Sequence, residues 1–269
     1  YAQVKDFKII KTIPEAHLVN DSKCKHRCVY FEEPLKKGQE FSVEYEFINH
    51  SIYRELDSNI VSEEHPQEYL EEKAPHIVFS PYLKALTQEV IGDEKNPLLK
   101  AKKIYNYITS HIMYSFMRTY ITLPPIVEYV ATSMKGDCGV QATLFITMCR
   151  IAGIPARWQA GLYATPEIIG SHDWAQFYIA PYGWLYADCS FGGTAYRHQS
   201  TLRREFYFGH LEPFRIPCAS EFQCEFYPPK KYLRRDPYDN QTGEVEYNDA
   251  FIPRNHYEMN LEIIKINEE

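Results

Sequence analysis

The sequence predicts a mixed α+β fold, and three observations support this prediction. Apolar and polar residues alternate in the first part of the chain, capped helical patterns fill the middle, and two strand patterns around a turn follow them. With 269 residues, of which 45% are hydrophobic and 24% charged, the chain has ordinary globular composition and is long enough to bury a large core.

The N-terminal region is predicted to be β structure. In Phe41 to Phe47, apolar and polar residues alternate, which indicates a strand with one buried face. Phe7 to Ile13 and Cys28 to Phe31 resemble neighbouring strands. We therefore expect a β-rich region over residues 1–62, followed by a charged linker from Glu63 to Pro75 that contains two prolines.

Three helices are predicted after the linker. The first covers Tyr82 to Ile91, and Gly92 suits its end. The second begins at Asn96-Pro97, because Asn is a good N-cap and Pro is favoured at the first helical position. The third is a short helix from Ile126 to Ser133.

A fourth helix is predicted to begin at Cys138 and to run to about Ala152. Gly153 is well placed to end it in a left-handed conformation, and Pro155 prevents its continuation. A strand is expected from Arg157 to Tyr163. The fourth helix is the most informative, because a cysteine occupies its first turn.

A β-hairpin is predicted from His172 to Asp188, with its turn around Pro181-Tyr182-Gly183. For His172 and Asp188 to share a face, the connection must contain an odd number of residues, or an even number with a bulge. Gly183 permits the left-handed conformation of such a bulge. We therefore expect an irregular hairpin, and a regular two-residue turn would separate the two side chains.

The C-terminal fifty residues are rich in Tyr, Pro, Asn and Asp, which predicts an irregular wrap around the core. Leu261, Ile263 and Ile266 are candidates for a final strand. We expect residues 216–269 to form an extension packed on a core of residues 76–215.

Composition and charge exclude several function classes. The net charge of −7 disfavours nucleic acid as the main partner, because phosphate binding needs clustered Lys and Arg. The only basic patch is short: Lys230, Lys231, Arg234 and Arg235. The mean hydropathy of −0.43 and the absence of a long apolar run argue against a membrane span.

The cysteine pattern favours unremarkable thiols or one local disulfide over a metal site. Cys24, Cys28, Cys218 and Cys224 could supply four zinc ligands, but neither pair has the tight spacing of most structural zinc modules. The odd total of seven slightly favours the cytoplasm. The chain begins with Tyr, so a secreted or cell-envelope location stays open.

Cys138 is the candidate nucleophile. At a helix start, unpaired N–H groups and the positive end of the dipole favour the thiolate, so we expect a lowered pKa. A cysteine taken alone is more often a small buried residue. His172 could accept the thiol proton and return it to a leaving amine, while Asp188 orients the ring and stabilises the imidazolium.

The segments KGDCGVQATLFITMCRIAGIPAR and HDWAQFYIAPYGWLYAD resemble the transglutaminase-like superfamily of cysteine enzymes. The resemblance covers roughly residues 95 to 195, and three motifs occur in the family's order. Two positions depart from the family pattern: Gln176 replaces a common Glu, and Cys189-Ser190 replaces a common Pro-Thr. The matching residues are Gly136, Cys138, Gly153, Ile154, Pro155, Ala156, Arg157, His172, Trp174, Gly183, Trp184 and Asp188.

This resemblance implies a papain-like α+β core in which the nucleophile helix packs on an antiparallel sheet. It implies a catalytic set of Cys138, His172 and Asp188, with Tyr114 as a second oxyanion donor after the backbone N–H of Cys138. Trp174 and Gln176 are candidates for substrate contact. The expected partner is a protein or peptide, with no cofactor and no metal.

Three functions remain open from the sequence. The first is hydrolysis of peptide, isopeptide or other amide bonds through a thioester, and the second is transfer of the acyl group from a protein glutamine to an amine. The third is a binding module that has the scaffold without its chemistry.

Overall fold

The computed structural model describes residues 4–19, 27–34, 36–123, 125–234, 241 and 243–267. Within these ranges the helices are α1 Pro81–Ile91, α2 Pro97–His111, α3 Ile126–Ser133, α4 Cys138–Ile151, α5 Cys189–Arg197 and α6 Thr201–Phe206. The strands are β1 Val4–Ile13, β2 Leu18–Val19, β3 Val29–Tyr30, β4 Ser42–Asn49, β5 Met113–Tyr114, β6 Lys135–Gly136, β7 Ala156–Ala164, β8 Ile169–Ile179, β9 Gly183–Ala187, β10 Phe208–Gly209 and β11 Arg215–Ala219.

The main sheet has five strands in the order β10-β9-β8-β7-β11. The pairs β8–β9, β9–β10 and β7–β11 are antiparallel. The α+β prediction is therefore confirmed. Strand β11 was not predicted, because its residues lie where the sequence suggested the start of an irregular extension.

Two compact units divide the described chain. One contains residues 52–159 and 172–212, and it holds all six helices of the described residues. The other contains residues 1–51, 160–171 and 213–269. In this second unit β1 and β4 form an antiparallel ribbon with two register shifts, as the alternating N-terminal pattern predicts.

The predicted helix starts are confirmed. The side chain of Asn96 accepts hydrogen bonds from the N–H groups of Leu98 and Leu99, and Pro97 is the first residue of α2. After α4, Gly153 adopts a left-handed φ of +81°, as expected of a residue that ends a helix.

Helix α4 forms the centre of the helical unit. Every residue from Cys138 to Arg150 is buried, so α4 packs on all its sides, against α1, α2, α3 and α5. Phe145 meets Phe177 of β8 edge-on, with ring centroids 5.5 Å apart. This packing fixes α4, which begins with Cys138, against the strand that carries His172.

The hairpin of β8 and β9 has the expected odd connection. Ile179 pairs with Gly183, so three residues, 180 to 182, join the strands. Gly183 adopts a left-handed φ of +79°, which three-residue hairpin loops commonly require. By the period of two along each strand, His172 and Asp188 then belong to the same face.

The C-terminal region departs from the expected strand. None of the described residues 257–267 lies in a strand, so that prediction around Leu261, Ile263 and Ile266 is wrong. All three side chains are at least partly exposed. The apolar spacing alone predicted a strand, but in the described structure no neighbouring strand pairs with these residues.

Candidate active site

Cys138 is the first residue of α4, and Asp137 is its N-cap. The Asp137 carboxylate accepts hydrogen bonds from the Val140 N–H at 3.2 Å and from the Tyr120 hydroxyl at 2.6 Å. Strand β6, which pairs in parallel with β5, comes immediately before this cap. The N-cap and the β5–β6 pair therefore fix the position of the Cys138 backbone, from which the thiol projects.

His172 and Asp188 are in direct contact. Nε2 of His172 lies 2.7 Å from Oδ2 of Asp188, and both side chains are buried. The other carboxylate oxygen of Asp188 accepts from the Ser190 hydroxyl at 3.0 Å and from the Phe191 N–H at 2.9 Å. Three partners thus hold the Asp188 carboxylate at the start of α5, and one of its oxygens faces the imidazole.

Ser190 explains one departure from the family pattern. Its hydroxyl donates to Asp188, so replacing a Thr by Ser at this position retains the donor that orients the carboxylate. The His172 ring also lies against Phe191, with centroids 4.5 Å apart. Hydrogen bonds and packing therefore act together to orient the ring.

The Cys138 thiol is 9% exposed and donates a hydrogen bond to Oδ2 of Asp173, with the sulfur and oxygen 3.6 Å apart. Burial raises the pKa of this thiol well above its ordinary value, and the charges of Asp173 and Asp137 raise it further. A backbone hydrogen bond from Asp173 acts in the opposite direction. The expectation of a lowered pKa is therefore not met in this conformation, in which burial and the nearby carboxylates favour the neutral thiol.

Tyr114 lies beside the nucleophile. In the pairing of β5 with β6 it is opposite Gly136, two residues before Cys138, and its side chain is half-exposed. Partial burial raises the pKa of the Tyr114 hydroxyl, and so do the Cys138 side chain, which forms a hydrogen bond with it, and the charge of Asp137. The hydroxyl therefore stays protonated at neutral pH, as a donor must.

Tyr120 and Asp173 belong to the same cluster, and sequence reasoning missed both. Burial raises the pKa of the Tyr120 hydroxyl, and the charges of Asp137 and Asp173 raise it further. Gly139 makes room for them, because a Cβ there would lie 2.2 Å from the Tyr120 oxygen and 2.9 Å from an Asp173 oxygen. The signal that could have shown Asp173 is an acid inside an otherwise buried strand pattern.

A comparison with protein families matches one segment of the chain. Residues 84–189, which include Cys138, His172 and Asp188, match the transglutaminase-like superfamily. We call this matching segment the transglutaminase-like core. An uncharacterised protein of Haemophilus influenzae is 26% identical in a match that covers 45% of this chain and 39% of that protein. The match thus spans well under half of that relative's length.

Two solved structures resemble parts of this chain. A candidate cysteine protease from Cytophaga hutchinsonii superposes with a TM-score of 0.50 and 18% identity, covering 82% of this chain and 72% of that chain. The periplasmic domain of TgpA from Pseudomonas aeruginosa has a TM-score of 0.40 and 19% identity, with coverage of 51% and 50%. The first of these supports the papain-like architecture expected for a transglutaminase-like core.

Two predicted substrate contacts are buried inside the transglutaminase-like core. The indole N–H of Trp174 donates to the side-chain oxygen Oε1 of Gln159 at 2.6 Å, and Oε1 of Gln176 accepts from Arg157 Nε at 2.8 Å. Each is 1% exposed. Their polar atoms are used within the protein, so neither side chain offers a surface to a substrate.

The described part of the transglutaminase-like core and its flanking regions contains no group of His, Cys, Asp and Glu that could hold a metal ion. Cys24, one of the four cysteines considered as zinc ligands, lies outside the described residues, as does Arg235 of the basic patch. No described helix is long and apolar enough to cross a membrane.

Proposed function

We propose that this protein hydrolyses peptide, isopeptide or other amide bonds through a thioester on Cys138. The observation that carries the proposal is the 2.7 Å contact between His172 and Asp188, in a transglutaminase-like core whose nucleophile position holds Cys138. A histidine oriented by a buried carboxylate serves as the base of a cysteine nucleophile.

In the proposed reaction, His172 takes the thiol proton as the sulfur attacks the carbonyl carbon of the substrate. The carbon–nitrogen bond then breaks, and His172 returns the proton to the departing amine. Water attacks the resulting thioester, His172 takes a proton from that water, and the thiol is regenerated as the acid leaves. Because Nε2 of His172 faces Asp188, Nδ1 is the nitrogen assigned to these transfers.

The oxyanion formed in this reaction needs donors. The backbone N–H of Cys138 is at the start of α4, where N–H groups point away from the helix and attract negative charge. The Tyr114 hydroxyl, which forms a hydrogen bond with the Cys138 side chain, is the second proposed donor. Its partial exposure suits a group that must meet a substrate.

Transfer of the acyl group to an amine is the second candidate. Asp173, Asp137 and Asp188 all act electrostatically on the Cys138 sulfur. A cluster of carboxylates attracts an ammonium group, so it would raise the local concentration of a cationic acyl acceptor.

Mass spectrometry of a mixed peptide digest, incubated with the protein with and without a primary amine, separates these functions. Hydrolysis gives shortened or deamidated peptides, and transfer gives peptides joined to the amine. Cys138→Ala should abolish either product, while Cys149→Ala, on the same helix, should retain it. Equal turnover by Cys138→Ala and the unmodified protein would refute both functions, and no product from either would favour the binding module.

A further inference from the structure

Asp173 has an unusual location for a carboxylate. It follows His172 directly in β8, it is 3% exposed, and its Oδ2 is the acceptor of the Cys138 thiol at 3.6 Å. The Asp173 carboxylate therefore contacts the Cys138 thiol directly, and its negative charge disfavours the thiolate.

The packing around Asp173 leaves little freedom. Gly139 of α4 approaches so closely that an added Cβ would be 2.9 Å from an Asp173 oxygen. Carboxylates and hydroxyls from five segments interact electrostatically with Cys138: Asp137 at the cap of α4, Asp173 on β8, Asp188 before α5, Tyr114 on β5, and Tyr120 from the segment before α3. His172, next to Asp173 in β8, carries the imidazole that is proposed as the base.

We propose that Asp173 is a positioning residue that holds the Cys138 thiol protonated and directed away from attack until a substrate occupies the site. This inference rests on the proposed role of Cys138 as the nucleophile. An S–H donor bound to a carboxylate has a fixed orientation, and the negative charge opposes loss of its proton. Asp173 thereby sets the pH at which the nucleophile forms.

The proposal has a mechanistic consequence. The resting enzyme contains a neutral thiol, and the thiolate forms as the proton passes to His172 during attack. A resting thiol that stays protonated is also slow to oxidise, because oxidation follows thiolate character.

The test is the pH dependence of Cys138 alkylation by iodoacetamide, measured by peptide mapping, with glutathione in the same tube as a reference thiol. In the unmodified protein the midpoint should lie above the free-cysteine value of about 8.5. In Asp173→Asn, which keeps the shape and removes the charge, it should fall by about one pH unit or more. Asp173→Glu keeps the charge but adds a methylene group to a closely packed site, so it serves as the charge control where Cys149 stays unreactive, and its midpoint should then remain close to that of the unmodified protein.

Cys149 reports on folding in the same experiment. It is fully buried on α4, so it should be unreactive in every folded variant. If Cys149 becomes reactive in Asp173→Asn, that variant is not folded, and the proposal is judged from the unmodified protein alone. A Cys138 alkylation midpoint below that of free cysteine then overturns the proposal.

Two further outcomes of the variant would overturn it. An unchanged midpoint in folded Asp173→Asn would show that the carboxylate does not control the thiol. Slower alkylation at every pH would indicate that Asp173 acts as the base. Both outcomes are independent of turnover, so a failure here is distinguishable from loss of the proposed function, which Cys138→Ala tests.

Discussion

The first turn and the middle of α4 are both buried, yet they differ in what surrounds them. Burial raises the pKa of both cysteines, Cys138 in the first turn and Cys149 eleven residues later. Around Cys149, burial is the only cause of the shift. Around Cys138, the charges of Asp173, Asp137 and Asp188 raise the pKa further.

This difference shows that neither burial nor position on a helix makes a thiol a nucleophile. The first turn is distinguished by groups that can accept, donate or orient a proton, and these come from elements distant in sequence. The middle of the helix presents only packing. We therefore expect changes near the first turn to alter activity and changes in the middle to alter stability.

The largest effect is expected when the groups that transfer or orient the proton, His172 and Asp188, are changed. His172→Ala should lower kcat by about a thousandfold or more, because the base is lost. Asp188→Asn should have a similar effect, since an amide would favour the wrong tautomer of His172, yet Asn remains a good N-cap for α5. Steady-state kinetics check the loss, and an unchanged melting temperature for Asp188→Asn separates it from unfolding.

The next largest effect is a loss of folding stability at low pH, which limits the pH range in which the two parts of α4 can be compared in the folded protein. His76 is fully buried, and Nδ1 accepts the Ile126 N–H at 3.2 Å, at the first turn of α3. Burial lowers the pKa of His76 from 6.5 to about 4. The unfolded chain therefore binds a proton that the folded chain does not, between these two values.

Stability from this group should accordingly be present above pH 6.5 and decline as the pH falls towards 4. The upper limit of the loss is about 3 kcal/mol. Urea unfolding of the unmodified protein and of His76→Gln across this range measures it, and the variant should show the smaller slope. If the stability of both proteins depended equally on pH, His76 would not be the cause of the acid loss of stability. Any loss of activity in acid would then be attributed to the candidate active site.

The smallest effect tests the middle of α4. Cys149→Ala removes a small buried side chain and should lower the free energy of unfolding by about 1 kcal/mol. Its kcat should remain within about twofold, whereas Cys138→Ala should lose turnover. A large loss of activity in folded Cys149→Ala would break the distinction between the two parts of the helix.

Much of the helical unit could be predicted because its elements carry local signals. Asn96 marks a helix start through its capping side chain, and Gly92 and Gly153 mark helix ends through their backbone conformation. The parity of the hairpin followed from the numbers of His172 and Asp188. The catalytic candidates were found because a family motif brings them together in order.

The remainder depends on tertiary contacts that leave no local pattern. Asp173 is informative only once α4 lies beside β8, and Tyr120 only once its hydroxyl reaches Asp137. Strand β11 gains its identity by pairing with β7, and α5 begins at Asp188, which was interpreted only as an orienting acid. Leu261, Ile263 and Ile266 show the opposite case. Their apolar spacing is a local signal, but they form no strand because no other strand pairs with them in the described structure.

The most direct test of the central claim is to trap the covalent intermediate. The protein is mixed with the peptide digest, quenched in acid within the first turnover, and mapped by mass spectrometry. We predict an acyl group on Cys138, absent from Cys138→Ala and retained in Cys149→Ala. Product formation without an adduct on Cys138, or with the adduct on another cysteine, would contradict the account.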